Sequence, residues 1–126
     1  MHGFGIFTMK NGDKIFGKYD KGYLEYGCHE YPNGDKYIGL FNKSDKKHEF
    51  GTYFYSYGDL YQGEFNNNDR QGSGEYIWRD GRFFDGQWRN DVEHGSGIFT
   101  DQDGLQWKQQ YHNGRMFSNV RVESGE

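Results

Sequence analysis

Proline is almost missing from this sequence: Pro32 is the only one in 126 residues. That excludes a polyproline ligand and a proline-rich linker. Cysteine is equally scarce. Cys28 stands alone, so no disulfide can close within the chain. A loop-rich extracellular domain of this size would need bridges, so a reducing compartment, the cytoplasm, is expected. Long apolar runs are missing too; nothing approaches 18 in a row, so no membrane-crossing helix is expected. The start, Met1-His2-Gly3-Phe4-Gly5, has neither a basic flank nor an apolar stretch and is not expected to act as a signal peptide. No sign of charge dominates: 15 Lys and Arg stand among 19 Asp and Glu, for a net charge of −4. This leaves no basic stripe for nucleic acid and no general attraction to an anionic membrane. Aliphatic residues are few. Of the 33% that is hydrophobic, aromatics supply 20%, which is too ring-rich for disorder.

What is present in abundance is glycine, and it recurs on a beat. Gly12, Gly34, Gly58, Gly81 and Gly104 follow one another at intervals of 22, 24, 23 and 23. Gly5, Gly27, Gly51, Gly74 and Gly97 repeat the same intervals. A third row runs Gly17, Gly39, Gly63, Gly86, and Gln109 takes its next slot. Three rows in register mean five copies of one unit. The units span about 2–24, 25–48, 49–71, 72–94 and 95–115 within an array over 1–115, with a tail or cap at 116–126. Such an array builds a long surface rather than one pocket.

Each unit reads as a β-hairpin. In the third copy, Thr52-Tyr53-Phe54-Tyr55 and Leu60-Tyr61-Gln62-Gly63-Glu64-Phe65 flank a turn at Tyr57-Gly58. In the other copies the turn is Asn11-Gly12, Asn33-Gly34, Asp80-Gly81 or Asp103-Gly104, a strong short hairpin signal. Strand alternation puts Tyr53, Tyr55, Tyr61, Phe65, Tyr76, Trp78, Phe84, Trp88, Phe99 and Trp107 on one face. The glycine between two same-face rings (Gly17, Gly39, Gly63, Gly86) lets a neighbouring ring lie on bare backbone and interlock adjacent hairpins. The glycine opening each first strand (Gly5, Gly27, Gly51, Gly74, Gly97) is expected at a bend or bulge. Polar stretches such as 66–71 and 89–94 read as solvated connections. No segment shows helical spacing, so the fold class is all-β: tandem antiparallel hairpins in a twisted ribbon, roughly 45–50 Å long at two strands per unit.

The motifs Tyr61-Gln62-Gly63-Glu64-Phe65, Phe84-Asp85-Gly86-Gln87-Trp88, Gly72-Ser73-Gly74-Glu75-Tyr76 and His94-Gly95-Ser96-Gly97-Ile98-Phe99 resemble MORN repeats (membrane occupation and recognition nexus) over about residues 2–115. Several positions depart from the pattern. Gln109 and Gln110 replace the glycine and glutamate of the last unit, Glu25-Tyr26-Gly27 and Glu49-Phe50-Gly51 lack the first glycine of the pair, and His29 takes the slot of Tyr53. The resemblance implies an elongated single-layer β ribbon with a curved aromatic groove. It further implies a scaffold binding other proteins, often at cytoskeletal, ciliary or membrane-associated assemblies. Arrays of this kind can sit beside lipid kinases or a lysine methyltransferase, but nothing here matches such a catalytic domain.

Other candidate sites reduce to structure. His2, His48 and His94 share a repeat slot two beats apart, roughly 20 Å, too far for a common metal ion. Asp13, Asp35, Asp59, Asp80 and Asp103 flank the turn glycines and are expected to be equally exposed, unlike a catalytic pair. Ser73 and Ser96 lie in Gly-Ser-Gly rather than a nucleophile elbow. Cys28 next to His29 has no third orienting group and reads as a packed thiol. No catalytic residue, metal or cofactor is expected, and no turnover.

The expected function is therefore a non-enzymatic scaffold. The ten rings line a groove for a helical or extended partner segment, with Glu64, Glu75 and Asp85 at the rim. Ile38, Leu40, Phe54, Leu60, Ile77 and Phe83 on the opposite face suggest a second contact. Self-association through the edge at Gly5 to Thr8, or pairing of Val120-Arg121-Val122 in the tail, is a corollary. The alternatives are a peripheral adaptor binding anionic phospholipids through Lys43, Lys46, Lys47 and Arg70, or a regulatory module of an enzyme on another chain.

Overall fold

Short turns leave each strand no partner except its neighbours in sequence, and the chain folds as a meander. The computed structural model describes residues 3–123. They form one antiparallel sheet of eleven strands, ordered as in the sequence. The strands are β1 (Gly3–Thr8), β2 (Lys14–Asp20), β3 (Tyr23–Glu30), β4 (Lys36–Phe41), β5 (Lys47–Phe54), β6 (Leu60–Asn66), β7 (Asp69–Ile77), β8 (Phe83–Arg89), β9 (Val92–Thr100), β10 (Gln106–His112) and β11 (Arg115–Arg121). The tail is thus the last strand. Val120 faces Lys108, and the Val122 amide donates to the Gln106 carbonyl.

Two kinds of turn alternate. Within a unit, three residues form the loop: Gly12 N–H donates to the Met9 carbonyl, Met9 N–H donates to the Asp13 carbonyl, and only Gly12 takes positive φ (+98°). This is a turn closed by a left-handed glycine, not the two-residue type with both central residues left-handed. Between units the link is tighter still. Asn67-Asn68 (φ +48°, +78°) and Asn90-Asp91 (+49°, +74°) are two-residue turns of that second type. The stretches 66–71 and 89–94 are therefore not solvated connections; most of their residues belong to strands. The link from β4 to β5 is the exception, a longer loop with Asp45 left-handed (φ +60°).

The two glycine rows form a single file. Gly5 pairs with Gly17, Gly17 with Gly27, and the pairing continues through Gly39, Gly51, Gly63, Gly74 and Gly86 to Gly97, where Gln109 ends it. The glycines that open the first strands are consequently ordinary ladder residues, not bends. The bulge falls two residues earlier, at Gly72 (φ +76°) and Gly95 (+95°), with Glu49 (+62°) in the same slot of the third unit. Aromatic rings fill the space that the ladder leaves. A Cβ on Gly39 would fall 2.6 Å from the Tyr37 hydroxyl, and Cβ atoms on Gly51, Gly74 and Gly97 would enter the rings of Tyr37, Tyr61 and Phe84. The ring of one hairpin thus lies over the next hairpin's glycine.

The core therefore sits on one face of one sheet, with no second layer among the described residues. Its buried members are Leu24, Tyr37, Phe41, Tyr61, Phe65, Phe84 and Trp88. The buried phenols are satisfied at the bulges: Tyr37 donates to the Leu40 carbonyl (2.8 Å) and Tyr61 to that of Glu64 (2.9 Å). The Trp88 indole donates to the Gly74 carbonyl at 3.0 Å.

Candidate functional site

Strand alternation places all ten expected rings on the core face, where they divide into two files. One runs Tyr37–Phe65–Tyr61–Trp88–Phe84–Tyr111, mostly edge to face, with centroids 5.1–5.8 Å apart. Tyr61, Phe65, Phe84 and Trp88 belong here and are at most 5% exposed. The other runs His29–Tyr31–Tyr53–Tyr55–Tyr76–Trp78–Phe99–Trp107, with centroids 4.0–6.1 Å apart. It holds the remaining six predicted rings, all half-buried. Tyr31 was missed by sequence reasoning, which read His29 only as the residue in the slot of Tyr53. The signal was there, since Tyr31, Tyr55 and Trp78 repeat at intervals of 24 and 23.

A carboxylate ties each hairpin to the next. Tyr53 O–H donates to Asp35 Oδ2 and Tyr76 O–H to Asp59 Oδ2, both at 2.7 Å. His29 Nε2 lies 2.8 Å from Asp13 Oδ2 in the same position. The other Asp35 oxygen accepts the Ser56 amide and that of Asp59 the Arg79 amide. Asp13 and Asp35 are buried, so these turn aspartates are not the equivalent exposed groups expected from the sequence. Burial pushes the Asp35 carboxyl up, but the bonds from Tyr53 and Ser56 outweigh it and leave it below the usual range. The partners' phenols go the other way: burial and the Asp35 bond raise Tyr53, and burial with bonds to Tyr57 and Asp59 raises Tyr76. In the fourth unit Arg82 takes the aspartate's slot and Phe99, with no hydroxyl, the tyrosine's. The linkage is missing there; Arg82 instead lies over the Trp78 ring of its own hairpin turn, 5.0 Å from the centroid.

Two cations also lie on this face. Lys47 Nζ sits over Tyr31, Tyr37 and Tyr53 at 5.4–5.9 Å, and burial lowers its pKa. Arg70 lies over Tyr61, Tyr76 and Trp88, as close as 4.6 Å, and its Nε donates to Asp91 Oδ1 at 2.8 Å. The alternative reading gave both to a lipid headgroup; they turn on to rings instead, and Lys43 and Lys46 are exposed. The rim acids also move. Glu64 accepts the Ser73 amide, and Glu75 meets Gln62 on the opposite face, beside Asp85 across the β7–β8 pair. The sequence carried that signal. Glu64 adjoins Gly63, Glu75 adjoins Gly74 and Asp85 adjoins Gly86, so each acid is one step out of phase with the rings and points away from them.

The other candidates are structural. His94 Nδ1 accepts the Asn113 amide, which holds the last two-residue turn. His2 lies outside the described residues, and among those described no group of three His, Cys, Asp or Glu is placed to hold a metal ion. Cys28 is half-buried, and burial raises its thiol pKa. No described helix is long and apolar enough to cross a membrane.

An all-β meander of interlocked hairpins with two ring files is the architecture of a repeat-built sheet. The family model for the MORN repeat matches residues 1–14, 61–81 and 84–106, and these segments are MORN repeats. No curated protein matches it. The MORN repeat is in general a non-enzymatic module for protein–protein or membrane binding.

Proposed function

We propose that this chain is a non-enzymatic scaffold that binds a segment of a partner protein, helical or extended, along its half-buried ring file. One observation carries the reading. The file from His29 to Trp107 runs from β3 to β10 without a break, and no second layer of the described residues lies over it. A contiguous apolar strip with a polar border is what a docking surface presents. Tyr53, Tyr55, Tyr76, Trp78, Phe99 and Trp107 supply the contact. Tyr61, Phe65, Phe84 and Trp88 support it from beneath. A cytoplasmic setting within a cytoskeletal or ciliary assembly belongs to the same reading and rests on the family resemblance. With Lys47 and Arg70 turned on to rings, anionic phospholipid has less to hold.

Truncating Tyr61 or Trp88 would test the fold rather than the surface, because both are core. A photo-crosslinking residue at Trp78, compared with one at Gln87 on the opposite face, separates the two. Partner adducts are expected from position 78 only. Equal capture from position 87 would refute the ring file as the docking surface.

A further inference from the structure

One slot of the repeat changes sign. Residues 24, 47, 70, 93 and 116 are spaced by 23 and hold leucine, lysine, arginine, glutamate and methionine. Each lies opposite a ring on the preceding strand: Tyr19, Phe41, Phe65, Trp88 and Tyr111. Facing residues of an antiparallel pair share a face, so all five point toward the rings. In the second and third links the slot delivers a cation to three rings, as Lys47 and Arg70 show. In the fourth it delivers the carboxylate of Glu93, while the equivalent rings Phe84, Phe99 and Tyr111 remain.

That carboxylate borders a cavity. A space of about 180 Å³ opens on the ring face between Arg70 and Glu93, walled by Tyr76, Trp78 and Trp88. Arg70 is committed to Asp91 by an ion pair. Glu93 has no cationic partner among the described residues and leaves the cavity with one uncompensated negative charge. Burial and the Glu93 charge together raise the Tyr111 phenol, consistent with a carboxylate held against the rings. Indole and phenol faces attract a cation, most strongly where water is excluded, and a carboxylate adds direct pairing.

The geometry points to a docking site for one arginine side chain of the partner segment, in the cavity between Trp78, Trp88 and Glu93. This rests on the scaffold reading above. Arginine is the occupant that the neighbouring link already displays. There a guanidinium lies over Trp88 and forks between the carboxylate and the backbone carbonyl of Asp91, which a planar five-donor group does better than an ammonium. The partner's arginine would pair with Glu93 against Trp78 and Trp88, beside Arg70, which is itself paired with Asp91.

The test uses the full chain and a capped Ala-Ala-Arg-Ala-Ala peptide, followed by NMR of the three indole N–H signals. Saturable shifts are expected at Trp78 and Trp88 and not at Trp107, with at least a tenfold loss of affinity when citrulline or lysine replaces the arginine. Glu93→Gln, an isosteric change at a half-exposed position, is expected to cost at least tenfold with an unchanged thermal midpoint. Glu93→Arg fills the slot in cis and is expected to abolish binding. No saturable shift, or an identical titration with Glu93→Gln, overturns the arginine site. Crosslinks from position 78 that persist in such a case leave the scaffold reading standing. An arginine peptide that titrates a chain capturing no partner does the reverse.

Discussion

Glu49 carries the clearest strain at the residue scale. It takes φ +62° where Gly72 and Gly95 occupy the same bulge in later units. A left-handed backbone costs a residue with a Cβ roughly 1–2 kcal/mol, and glycine's greater freedom when unfolded returns part of that. Glu49→Gly is therefore expected to stabilise the chain by about 0.5–1 kcal/mol, read as a higher urea midpoint. A lower midpoint would mean that the glutamate side chain contributes more than its backbone costs. Gly74→Ala tests the ladder. Its Cβ would enter the Tyr61 ring, which is fully buried and cannot swing away. Overpacking of this kind costs about 1–3 kcal/mol, so a drop in stability is expected. An unchanged midpoint would show that the rings do not rest on bare backbone.

At the scale of the element, each strand pairs only with its sequence neighbours and its rings reach one strand further, so stability should decline toward the ends of the array. The end strands are poorly covered. Phe4 and Ile6 in β1 are 65% and 75% exposed, and Phe117 in β11 is 66% exposed. The buried rings concentrate between β4 and β8. Hydrogen exchange should accordingly be slowest in β5 to β8 and fastest in β1 and β11. Uniform protection along the chain would mean that the hairpins unfold as one unit, and the nearest-neighbour picture would fail.

For the whole molecule, the phenols set the alkaline limit. Burial, with Asp13 and Asp35 nearby, pushes Tyr31 up to about 12. Burial raises Tyr55 to about 12 as well, with Arg70 opposing. An unfolded phenol ionises near 10, so below about pH 10 both states are neutral and the full stability is present. As the pH rises past 10 the unfolded chain loses protons first, and stability falls until the folded phenols ionise too. Urea midpoints should hold from pH 8 to 9.5 and drop steadily by pH 11. A midpoint still unchanged at pH 11 would contradict the raised phenols.

The glycine beat, the turn residues and the alternation of rings determined by themselves the all-β class, the turn within each unit and the face that carries the aromatics, because each follows from local backbone geometry. Tyr31 and the slot at 24, 47, 70, 93 and 116 were equally periodic and equally legible. Other features depended on register between strands. The sequence placed the bulge at Gly51 and Gly74, whereas pairing moves it to Glu49 and Gly72. Alternation put ten rings on one face, but whether a ring lies over a neighbour's glycine, as Tyr61 does, or stays half-open, as Trp78 does, is decided by the strand alongside it. The same holds for charge: Lys47 looks like a loop lysine until the sheet brings Tyr31, Tyr37 and Tyr53 beneath it. Contacts between strands are set by pairing across the sheet, which no single stretch of sequence contains.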